Sequence, residues 1–135
     1  MSRLFAVPAA LIVVSCARPA NPLKQILPVQ VQRAWTLDDA KAIPNEEAPQ
    51  MIRGSALKRA ISAGYRGNGR IRVRVFQMTN ETSAFALIQT WRQTADGLAF
   101  HKGPYFVVAD AEGVDRQTLS SFLHALEAEL KAGPA

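Results

Sequence analysis

The chain predicts an α+β fold: an antiparallel sheet of about four to five strands with two helices packed on one face. Three observations lead there. Arg70 to Phe76 alternates charged and apolar residues, the period of a half-buried strand. Asn68-Gly69, just before it, is a strong hairpin signal. Two later stretches, each behind a capping residue, carry apolar side chains at helical spacing. Residues 59–131 then read strand, strand, helix, strand, strand, helix.

The first third is punctuated by Pro28, Pro44 and Pro49. Gln30 to Leu37 reads as a strand carrying Trp35. Asn45-Glu46-Glu47 reads as a helix start, with Asn45 as cap and acids in the first turn. Pro49 is tolerated in that turn, and Gly54 ends the segment. Ala60 to Tyr65 has strand character, and Arg66-Gly67-Asn68-Gly69 turns it into the alternating strand. Asn80 caps a helix over Glu81 to Arg92, with Phe85, Ile88 and Trp91 along its buried stripe. Leu98 to His101 and Tyr105 to Ala109 form a second hairpin around Lys102-Gly103-Pro104. Asp115 caps the last helix. Leu119, Phe122, Leu123, Leu126 and Leu130 form its apolar stripe, Glu127 precedes Lys131 by one helical turn, and Gly133-Pro134 stops it.

The start of the chain carries a different signal. Arg3 is a short basic beginning, and Leu4 to Val14 is an uncharged, mostly apolar run. A membrane-spanning helix takes about 20 residues, so this run is too short to span. It has the length and flanks of a secretory leader. It ends at Ser15-Cys16-Ala17, and Cys16 is the only cysteine. A buried free thiol is the competing reading of Cys16. Its place at a cleavage position between small residues favours a processed cysteine.

This segment resembles a bacterial lipobox. The resemblance implies a signal peptide over 1–15, a lipid-modified Cys16 and attachment to the membrane through that lipid. Ala17 is not the aspartate that marks inner-membrane retention. The expected place is therefore the cell envelope, on the periplasmic face of the outer membrane in a Gram-negative cell. Residues 16–24, with Pro19 and Pro22, read as a tether, and 25–135 as a single domain. Loss of Arg3 with the leader lowers the net charge of +5 by one, leaving a mildly basic chain. No disulfide can form within it.

Within the domain, Leu27-Pro28 followed by Trp35, Tyr65 closing a strand and the alternating strand to Met78 form a recognisable set. Ala84-Phe85 opening a helix and the Lys102-Gly103-x-Tyr105-Phe106-Val107 hairpin complete it. This set resembles an uncharacterised family of bacterial envelope domains. The resemblance implies an α+β lipoprotein domain and brings no catalytic residues.

The sequence offers little for catalysis. It has no Gly-x-Ser-x-Gly, no phosphate-cradling glycine loop and no His-Glu-x-x-His. The histidines are His101 and His124. His124 reads as a boundary residue of the last helix. His101, at a turn, is the one weak catalytic candidate, as the base or acid of a small envelope hydrolase; a solvated turn residue is the competing reading. Two distant histidines make no metal site, and no cofactor is expected. Asp38-Asp39 and Glu46-Glu47 read as solvated surface, since adjacent side chains diverge.

The leading candidate is the ladder Arg70, Arg72, Arg74. Alternation puts the three guanidinium groups on one sheet face, and the adjoining strand offers Ala60, Ser62 and Gly64 beneath them. Such a basic trough suits phosphate or carboxylate forks. The competing reading is a charged face that keeps an antiparallel sheet soluble. The expected function is a non-enzymatic binding or assembly module for an anionic lipid, glycan or envelope protein. Nucleic acid is excluded by the expected location. A structural subunit would instead expose an apolar patch around Trp35 or Trp91.

Overall fold

The computed structural model describes residues 26–54, 56–91 and 97–130. The expected leader, Cys16, the expected tether and Lys131 lie outside them. In chain order come β1 (Gln30–Val31), β2 (Trp35–Ile43), a 3₁₀ turn (Asn45–Glu47), α1 (Gln50–Arg53), β3 (Leu57–Arg66) and β4 (Arg70–Met78). Then follow α2 (Glu81–Thr90), β5 (Gly97–Lys102), β6 (Tyr105–Glu112) and α3 (Arg116–Glu129). The six strands form one antiparallel sheet in the order β1-β2-β3-β4-β6-β5.

The α+β class is as the sequence predicts, but three details differ. The sheet has six strands, because residues 30–43 supply two rather than one. The positive φ of Gln32 and Arg33 turns the chain between β1 and β2. Among the described residues there are three α-helices, and they do not share a face. α3 lies on one side with Ile61, Ala63, Tyr65, Ile71, Val73, Val75, Val107 and Ala109. α1 and α2 lie on the other, where Ile52, Ala84 and Leu87 pack with Ala60, Phe76, Phe106 and Val108. The cause lies in β4 and β6. Val75-Phe76 and Tyr105 to Val108 are buried on both sides, so both sides need cover.

Capping follows the sequence at two of three helix starts. Asn80 Oδ1 accepts from Ser83 N at 2.8 Å, and Asp115 Oδ1 from Thr118 N at 2.7 Å. Asn45 is not a cap. The chain enters the 3₁₀ turn through Pro44, and Asn45 Nδ2 donates to Lys58 O. In α2 the buried stripe is Ala84 and Leu87 with Ile88 at its margin, and Phe85 is 48% exposed.

The main core gathers residues far apart in sequence. Trp35 and Tyr65 both pack T-shaped against Phe122, at 5.9 and 5.2 Å between centroids. Tyr65 Oη donates to Pro28 O at 2.7 Å, which ties the entry segment to the sheet. Burial holds the Tyr65 phenol well above its ordinary value, with the Glu129 carboxylate adding to the effect. Trp35 is therefore core, not an exposed patch. Trp91 is half-buried with its ring edge-on to Phe106 at 5.2 Å.

Candidate functional site

The face that carries α1 and α2 is covered at one end only. Cross-strand pairing sorts it into rows. Ile43, Ala60, Phe76, Phe106 and His101 form the row beneath the helices. Next come Lys41, Ser62, Arg74, Val108 and Ala99, then Asp39, Gly64, Arg72, Asp110 and Gly97. Thr36, Arg66, Arg70 and Glu112 form the last row. The apolar row is the floor of the helix contact. The other rows carry the ionised side chains, which belong in water.

The three ladder arginines stand together on this face, as the alternation requires. Two of the three small residues fall where expected, with Ser62 opposite Arg74 and Gly64 opposite Arg72, while Ala60 faces Phe76 in the apolar row. The third pairing sets Arg66 against Arg70. At Gly64 the absent side chain leaves room: Asp39 Oδ1 and Arg70 Nη2 lie 3.4 and 3.7 Å from where a Cβ would stand.

The trough is not purely basic. Sequence reading missed its acidic half, which has two sources. β6 flanks β4 on the far side and presents Asp110 and Glu112 beside Arg72 and Arg70. The alternation Val108, Asp110, Glu112 carries that signal. The second source is a bulge in β2. Leu37 pairs with Tyr65 and Asp39 with Gly64, leaving Asp38 as the extra residue. Asp38 reaches Arg66 and Arg70 while Asp39 lies over Gly64, so the two neighbours converge on one face. The expected divergence of Asp38 and Asp39 fails for that reason. Strand alternation holds only in an unbroken register.

Pairing on the face is uneven. Arg70 Nη2 and Arg66 Nη2 both donate to Asp38 Oδ2, at 3.2 and 3.0 Å. Arg74 approaches Asp110 at 3.8 Å. Arg72 Nη1 donates to the Ser62 hydroxyl at 3.0 Å. Among the described residues, neither Arg72 nor Glu112 has an ion-pair partner within 4.0 Å. Both line a depression of about 160 Å³ with Gly64, Arg70 and Asp110. A second depression, about 260 Å³, shares Asp110 and Glu112 and adds Arg74 and Trp91.

His101 is not a solvated turn residue. It lies within β5, half-buried, its ring edge-on to Phe85 at 5.5 Å. Its Nδ1 is buried, and among the described residues no polar group meets it. A general base needs a partner that orients it. His124 is exposed on α3, bordering a groove with Leu98, Phe100, Leu123 and Glu127. Among the described residues no group of three or more His, Cys, Asp or Glu could hold a metal ion. No helix there is long and apolar enough to cross a membrane. Comparison with protein-family models, curated proteins and solved structures finds no match for this chain.

Proposed function

We propose that this chain is a non-enzymatic recognition module of the bacterial cell envelope. It is held to the membrane through lipid on Cys16 and binds an anionic partner on the open half of its sheet. One observation supports the binding role above the others. Arg70, Arg72 and Arg74 share a face whose apolar end is covered by helices and whose charged end is not. Guanidinium forks on a rigid strand, spaced about 6.5–7 Å apart, suit phosphate or carboxylate groups. The leader and the lone Cys16 support the location.

The test is capture from cells. The full chain is cross-linked and recovered beside an Arg70→Ser, Arg72→Ser, Arg74→Ser variant, at low and raised salt. A partner held by the wild type, lost by the variant and weakened by salt is the expected result. A partner held equally by both overturns the arginine role. Fatty-acid labelling of the wild type, abolished in Cys16→Ser, is the expected sign of anchoring; labelling that survives the substitution overturns it.

A further inference from the structure

We infer that the ligand of this face is a zwitterion, a phosphate carried a short spacer away from an ammonium group. The inference rests on the recognition reading above and goes past its anion. Among the described residues the face has charges of both signs without an ion pair, Lys41 and Arg72 against Asp39 and Glu112, and of these Arg72 and Glu112 share one depression. Arg72 gives one N–H to Ser62 and faces no carboxylate within ion-pair distance, while Arg70 and Arg74 are drawn to Asp38 and Asp110. Because Arg70 leans toward β2, its cross-strand neighbour Glu112 is left without an ion pair. Arg72 and Glu112 are diagonal neighbours on β4 and β6, roughly 7–8 Å apart at the backbone. Both line the same depression.

A simple anion placed there gains Arg72 but sits beside Asp110 and Glu112, which repel it. A zwitterion gains at both ends. Phosphate suits the cationic end better than carboxylate, because Arg70 and Arg72 line the depression together and a phosphate can accept from both. The ammonium end finds Glu112 and Asp110. Trp91, lining the adjoining depression with the same two carboxylates, adds an aromatic surface of the kind that attracts cations. Gly64 leaves the floor open.

Calorimetry on the full chain separates the possibilities, with O-phosphoethanolamine compared against ethyl phosphate, which lacks the ammonium. The expected result is roughly tenfold tighter binding of the zwitterion, the worth of one charge-assisted contact. Glu112→Gln should erase that preference and leave ethyl phosphate binding unchanged or improved. Arg72→Gln should weaken both. Equal or tighter binding of ethyl phosphate by the wild type overturns the zwitterion and leaves the anion reading standing. Binding of neither compound overturns both, unless vesicles capture the chain. In that arm, phosphatidylglycerol vesicles, whose headgroup carries phosphate but no ammonium, are compared with and without phosphatidylethanolamine. Capture that needs phosphatidylethanolamine and Glu112 identifies a lipid headgroup as the source; tight binding of the soluble compound without vesicle capture identifies a free one.

Discussion

Arg66 and Arg70 stand directly opposite each other across the mouth of the β3–β4 hairpin, and Asp38 Oδ2 accepts a hydrogen bond from each. Like charges at facing strand positions are destabilising. A single carboxylate between them converts the repulsion into a bridge. The carboxylate reaches that point because Asp38 is the bulged residue of β2. The bulge and the like-charged pair thus belong to one device at the open end of the face.

Asp38→Ala should therefore lower stability by about 1 kcal/mol, the upper end for exposed pairs, because it also restores the repulsion. Raised salt should shrink the loss. In an Arg66→Ser background the same substitution should have a smaller effect, since the two residues share a partner. Urea unfolding of the four chains measures this. Equal losses in both backgrounds would show that the bridge contributes nothing beyond separate contacts.

Glycines 67 and 69 frame the hairpin for a reason the Asn-Gly signal does not contain. The loop is three residues long, closed by Gly67 N donating to Gly69 O at 3.0 Å. Neither glycine has positive φ. A Cβ on Gly67 would stand 2.7 Å from Trp35 Cε3 and against the carbonyl oxygen of Ala34. One on Gly69 would meet a methyl of Val114 at 2.7 Å, which can move. Gly67→Ala should cost about 2–3 kcal/mol by displacing the Trp35 core, and Gly69→Ala less. Gly113→Ala is a control of another kind. Its φ is 72° with open space around it, so only backbone strain applies, about 1 kcal/mol. Thermal unfolding ranks the three; Gly67→Ala ranking last would remove the close-approach explanation.

The sequence showed clearly what depends on one strand or one helix. The alternation fixed which β4 side chains share a face, and Asn80 and Asp115 marked their helix starts. What depended on neighbours was hidden. Helices on opposite faces were written only in the unbroken run Tyr105 to Ala109, which periodicity alone does not separate from a one-faced strand. Phe85 was misplaced because Phe85-Ile88-Trp91 and Ala84-Leu87-Ile88-Trp91 both fit a helical stripe, and packing chose the smaller residues. The acidic half of the site needed the β4–β6 pairing and a bulge. A bulge reverses alternation without any compositional mark in Leu37-Asp38-Asp39.

The α3 cap gives a pH dependence with a definite sign. The Thr118 backbone N–H donates to Asp115, holding its carboxyl below the ordinary 3.8. The folded state thus favours the ionised form. Its contribution is present above the unfolded value and is lost as pH falls through the folded one. Asp115→Asn keeps an acceptor but does not titrate. The wild type should exceed the variant in stability near neutral pH, and the gap should close below about pH 4. Urea midpoints across that range test it. A gap that widens on acidification would reverse the assignment.

Lys102 links the second hairpin to the end of α3. Its Nζ donates to Glu127 O at 2.6 Å and Leu130 O at 3.2 Å. The last carbonyls of a helix have no partner within it and carry its negative end. An ammonium supplied from β5 answers both needs, and Lys102 does so from a position adjoining the tight Gly103 turn, where φ is 58°. Lys102→Met keeps an apolar stem and removes the donors. It should cost about 1–2 kcal/mol. Hydrogen exchange should accelerate in the last turn of α3, around Leu126 to Leu130, and remain unchanged in α2. Acceleration spread evenly over both helices would mean that Lys102 acts by supporting the whole sheet rather than by capping this helix.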